Sequence, residues 1–116
     1  MAIYKENRPW GSFIILDEGK EFKVKKISVK SGQKLSLQYH NHRTEHWTVV
    51  QGKATVTLGD NTFKLDIDES IYIPIKEKHS LANEGDMLLE IIEVQLGSYL
   101  GEDDIIRLED RYGRVK

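Results

Sequence analysis

The 116-residue sequence has no cysteine. That absence rules out a disulfide framework, and any metal site must use nitrogen and oxygen ligands. Neither sign of charge dominates: 17 Lys and Arg stand against 19 Asp and Glu, a formal net charge of −2, and the two are well mixed. No patch for nucleic acid or a membrane surface stands out. No apolar run approaches membrane-spanning length, and Met1 to Trp10 has no secretory apolar region. The expectation is a cytoplasmic protein with neither nucleic acid nor membrane as partner. Linkers, repeats and low-complexity tracts are also missing, so residues 1–116 read as one domain.

What remains is 39% hydrophobic and 31% charged, ordinary for a globular chain. Short alternating segments rich in Val, Ile, Leu, Thr, Tyr and Phe predict strands at Ser12–Leu16, Glu21–Lys30, Lys34–His40, His46–Val50, Lys53–Leu58, Thr62–Asp66, Ser70–Pro74 and Met87–Gln95. Gly19, Ser31-Gly32, Gln51-Gly52, Gly59-Asp60-Asn61 and Asn83-Glu84-Gly85 mark turns between them. Eight such strands predict an all-β sandwich or barrel with antiparallel pairing. Glu102–Asp110, acidic at its start, is the one stretch read as partly helical.

One strand does not fit a plain wet face. Lys34–His42 places Leu35, Leu37 and Tyr39 on one side and Lys34, Ser36, Gln38, His40 and His42 on the other. Lysine and glutamate usually fill a solvated face, whereas this one ends in Gln-x-His-x-His and runs into Arg43-Thr44-Glu45-His46-Trp47. Of only four histidines, three lie at 40, 42 and 46, and the fourth is His79. Imidazoles clustered beside a carboxylate are what a divalent metal needs.

The spacings sharpen this. Five residues separate Gly32 from Gln38, one separates Gln38 from His40, four precede Glu45 and six lie between Glu45 and Gly52. This resembles the first cupin motif, G-x5-H-x-H-x3–4-E-x6-G, with glutamine for the first histidine. Asp68 to Asn83 is similar to the second, G-x5-P-x-G-x2-H-x3-N. Pro74, His79 and Asn83 hold their places, and Asp68 and Lys76 replace the glycines. The resemblance implies a single cupin, a double-stranded β-helix or jelly-roll barrel, with Gln38, His40, Glu45 and His79 as metal ligands. Gln38 and His40, two apart, leave one face of one strand, and ligands from three strands converge only if the sheet curls. Gly32 and Gly52 supply turns that a larger residue would hinder. His40-x-His42, completed by His46 or Glu45, is the other register, with His42 as an alternate ligand. It makes the interval from Gly32 too long and that to Glu45 too short.

Longer stretches resemble one family. Arg8-Pro9-Trp10-Gly11-Ser12, Gly32 through His40, His42-Arg43 with Glu45-His46-Trp47, and Gly97 through Arg107 are similar to the C-terminal domain of type II phosphomannose isomerases, from about Arg8 to Arg114. That domain is usually fused behind a mannose-1-phosphate guanylyltransferase. These 116 residues hold no glycine-rich nucleotide-binding signature, so the domain is read as stand-alone. The resemblance implies interconversion of mannose 6-phosphate and fructose 6-phosphate, a phosphorylated hexose as substrate, and a divalent metal. Zinc is the first choice, and Mn, Fe, Co or Ni would also suit the donor set. Such a reaction needs cations for the phosphate, and Arg43 and Lys34 are the catalytic candidates. The rivals are a metal- or sugar-binding cupin without turnover, and a nucleotide-sugar isomerase or epimerase of the same fold. Because Leu35, Leu37 and Tyr39 need a covering layer, a homodimer paired through Ser12–Leu16 is expected.

Overall fold

The computed structural model describes residues 4–110 and 112–113, so Arg114, where the resemblance ends, lies outside them. Eleven strands follow in order: β1 (Tyr4–Arg8), β2 (Gly11–Glu18), β3 (Phe22–Val29), β4 (Leu37–Tyr39), β5 (Arg43–Gln51), β6 (Ala54–Leu58), β7 (Asn61–Leu65), β8 (Ser70–Ile73), β9 (His79–Ala82), β10 (Leu89–Gly97) and β11 (Ile106–Glu109). They form two antiparallel sheets, in the orders β1-β2-β3-β10-β5-β8 and β11-β4-β9-β6-β7. No helix occurs among the described residues, and so none is long and apolar enough to cross a membrane.

The period-2 pattern explains the layering. Along β3, β5 and β10 nearly every second residue is buried. The apolar members of those rows meet Val56 and Leu81 of the opposite sheet in one core with Val29, Val49, Leu89 and Ile91, all 1% exposed or less. Burying a side chain of this kind contributes about 1.5–3 kcal/mol.

Three expectations change, and the Ser12–Leu16 strand stands within a longer one. Tyr4–Arg8 and His79–Ala82 are strands in their own right. Ser12–Leu16 lies inside β2, hydrogen-bonded to β1 on one edge and to β3 on the other. The strand expected over Lys34–His40 is regular only over Leu37–Tyr39, because its register against β9 slips by one residue between the Lys34–Ala82 bridge and the Gln38–His79 pair. Such a slip turns the residues on either side of it to opposite faces. Glu102–Asp110 is not helical. Glu102 and Asp103 make a turn, and Ile106–Glu109 pairs antiparallel with β4. β4 has an open edge that needs backbone partners, and Ile105-Ile106 suits a strand.

Two turns are built at positive φ. Among the described residues, Asp68 (φ 78°) and Lys76 (φ 66°) are the non-glycine residues there. They stand where the second cupin motif has glycine. The Lys76 N–H donates to the His40 carbonyl (2.8 Å), which ties this turn to the end of β4. Gly52 has φ 79°, and a Cβ on it would come within 2.8 Å of the Leu88 carbonyl oxygen.

Candidate metal centre

Two sheets bring the polar residues face to face. His40 follows β4 and His79 opens β9 in one sheet, while Arg43 and Glu45 begin β5 in the other. Donor atoms of His40, Glu45 and His79 all lie within 4.8 Å of one another, and all three side chains are buried. His40 Nε2 is 3.2 Å from Glu45 Oε2, and the two imidazole centroids are 5.0 Å apart. Gln38 faces His79 in the β4–β9 ladder, and its Oε1 accepts from Ser36 Oγ at 2.6 Å.

The hydrogen bonds set both tautomers. His40 Nδ1 donates to the Asp104 carbonyl (2.6 Å), and His79 Nδ1 donates to the Glu77 carbonyl (2.9 Å). Carbonyl oxygens accept only, so each Nδ1 carries the hydrogen and each Nε2 keeps a bare lone pair. His79 Nε2 is buried with no hydrogen-bond partner. His40 Nε2 receives the Arg43 guanidinium at 3.2 Å. The Arg43 guanidinium serves two of these donors, and the set of two unprotonated imidazole nitrogens and a carboxylate also fits a divalent metal. Burial lowers the pKa of His79, which keeps the ring in its neutral, ligating form.

Glu45 is held from several directions. Arg43 Nε donates to its Oε2 (2.9 Å) and Trp47 Nε1 to its Oε1 (2.8 Å). Burial pushes its carboxyl up, but a bond shared with Glu93 and the Arg43 charge outweigh that and keep it well below the usual range. Glu93 behaves oppositely. Burial first, and then the Glu45 charge, push it up to about 8. Trp47 Nε1 also reaches Glu93 Oε2 (3.2 Å), and Gln95 Nε2 donates to Glu93 Oε1 (2.7 Å). At neutral pH one carboxylate of the pair is therefore ionised and the other carries a proton.

A pocket opens beside this cluster, with Gln38, His40 and Arg43 on its wall together with Glu93, Arg8, Lys25 and Arg107. Lys25 Nζ pairs with Glu102 (2.7 Å) and sits 4.0 Å from the centroid of the Phe13 ring. Lys23 Nζ donates to the Leu100 carbonyl at 3.1 Å.

Not every residue singled out in the sequence is here. Lys34 lines a separate depression on the outer side of the five-stranded sheet with Thr55 and Thr57, because the register slip turns it away from Gln38. His42 is largely exposed, and its Nδ1 lies 3.3 Å from Asp104 Oδ1. His46 is exposed and stacks on Tyr72, with centroids 4.9 Å apart. Lys23, Lys25, Glu93 and Gln95 escaped the sequence reading, although the signal exists. Ile27 and Val29 set the inward phase of β3, and Leu89 and Ile91 set that of β10, so counting on by two reaches all four.

The mannose-6-phosphate isomerase C-terminal family matches residues 2–110. The chain belongs to that family. The alginate biosynthesis protein AlgA of Pseudomonas aeruginosa is 63% identical over 108 residues, which cover 93% of this chain and 22% of AlgA. The chain thus spans about a fifth of the length of such relatives. Solved structures show the fold of this mannose-6-phosphate isomerase C-terminal domain to be a cupin. A Klebsiella pneumoniae protein with a double-stranded β-helix domain superposes with TM-score 0.73 at 19% identity, over 84% of this chain and 83% of its own. The Schizosaccharomyces pombe Cnp3 cupin domain does so with TM-score 0.68 at 18% identity, over 73% and 64%.

Proposed function

We propose that this domain is a metal-dependent aldose–ketose isomerase acting on mannose 6-phosphate and fructose 6-phosphate. The observation that carries the reading is the buried His40, Glu45 and His79 set, with His79 Nε2 unpartnered and His40 Nε2 unprotonated beside Arg43, on the edge of a pocket rich in cationic side chains. Family membership supports it, since the domain is named for that isomerase. His40, Glu45 and His79 would hold the ion, with Gln38 as the fourth ligand, and zinc is the metal proposed. Bound there, it supplies Lewis acidity to the oxygens on C1 and C2 of the sugar.

The chain's own residues account for the rest. Isomerisation moves a proton between C2 and C1 and another between their oxygens. Glu93 is on the pocket wall and is held protonated near neutrality, so it can give one proton and take another. Arg43, fixed on Glu45, offers charge to the developing oxyanion. Arg8, Lys25 and Arg107 form the cationic side suited to a phosphate. Lys34, on the outer face, has no part in this assignment.

The test is turnover of mannose 6-phosphate in a coupled assay on zinc-loaded protein. Chelation should abolish activity and zinc should restore it. His79→Ala should lose the metal and about 4 kcal/mol of barrier stabilisation, about a thousandfold in rate. A fully loaded wild type without turnover would sink the enzyme reading in favour of a non-catalytic binding domain.

A further inference from the structure

The segment between β10 and β11 does more than dock. Asp104 is 6% exposed and makes four contacts with one turn of the chain, one of them the His42 Nδ1 contact noted above. Its Oδ1 accepts the Asn41 N–H and its Oδ2 the His42 N–H, each at 2.9 Å. Its backbone carbonyl accepts His40 Nδ1–H at 2.6 Å. The carboxylate therefore clips residue 104 onto the two peptides that follow His40, and the same residue's carbonyl then meets the ring. A turn closed by the Asp104 N–H donating to the Gly101 carbonyl (3.1 Å) presents that carbonyl, and Glu102 in the turn is anchored to Lys25 at 2.7 Å.

We infer that Asp104 is a positioning residue that fixes the orientation and tautomer of His40 for metal binding. A ligating imidazole must present a bare nitrogen in a set direction, and the partner of its other nitrogen decides both. His79 offers an internal control, because the Glu77 carbonyl on its own loop holds its Nδ1 independently of residue 104. The inference rests on His40 being a metal ligand, as proposed above, and needs no statement about substrate.

The experiment combines zinc titration by calorimetry with nitrogen-detected NMR of the histidine rings in metal-free protein. In the wild type, one zinc binds and both His40 and His79 show the Nδ1–H form. Asp104→Ala should weaken zinc binding by about 10–100-fold and mix the His40 tautomers, while His79 keeps its signature. Asp104→Asn retains one acceptor oxygen and should fall between the two, and it serves in place of alanine if that variant loses the His79 signature by unfolding. An Asp104→Ala protein with wild-type affinity and an unchanged His40 ring overturns the inference and leaves the isomerase reading standing. Wild-type protein that takes up no zinc overturns both.

Discussion

β3, β5 and β10 lie side by side with one rhythm of burial, yet their two halves carry opposite side chains. Toward one end the inward positions are Ile27 and Val29, Val49, and Leu89 and Ile91; toward the other they are Lys23 and Lys25, Arg43 and Glu45, and Glu93 and Gln95. The register lines the halves up: Ile27 is opposite Ile91 and Ile91 opposite Val49, while Lys23 is opposite Gln95 and Gln95 opposite Glu45. Trp47, opposite Glu93, stands at the boundary and donates to carboxylates on the polar side. Backbone pairing thus decides which residues are buried, and chemistry decides what each half is for. The apolar half supplies the hydrophobic stabilisation that keeps the sheets together. The polar half is tolerated because its charges are paired inside, and such pairs add little net stability.

Substitutions at three positions probe the contrast. The largest effect on stability belongs to the apolar half. Ile91→Ala should cost about 2–5 kcal/mol in denaturant unfolding and leave one zinc bound per chain below the transition. Loss of zinc in the folded variant would show that the halves are not separable. Arg43→Ala strikes the polar half. It should lower kcat/KM for mannose 6-phosphate by about 2–4 kcal/mol in the barrier, about thirty- to a thousandfold. Arg43→Lys should recover only part of that, because an ammonium cannot copy the planar fork. Equal turnover in wild type and alanine variant would remove Arg43 from the chemistry.

The smallest effect is a slope. Glu93 binds its proton more tightly folded than unfolded, since its pKa rises from 4.5 to about 8. Its contribution is present in full below about pH 4.5 and is lost as pH rises toward about 8, because the folded state there holds the extra proton. Metal-free wild type should therefore lose stability over that window, and Glu93→Gln should lose less. Identical pH profiles would place the proton elsewhere.

Much of this was visible in the letters. The alternation of β3, β5 and β10 and the spacing of His40, Glu45 and His79 lead directly to the two-sheet barrel and its cluster. Lys34 misled because a one-residue slip against β9 leaves no mark in a period-2 pattern. β11 was hidden because its strand state comes from pairing with β4, far away in sequence. Asp104 gave no role because the backbone groups its carboxylate clips, the Asn41 and His42 N–H groups, lie far away in sequence.

Asp68 and Lys76 carry a consequence of their own. Both adopt the left-handed backbone that side chains resist, at a cost of about 1–2 kcal/mol for a residue with a Cβ. Spelled as amino acids, the second cupin motif shows two mismatches at these positions; spelled as dihedral angles, it shows none. What the barrel requires there is a torsion, and glycine is merely the least strained way to reach it.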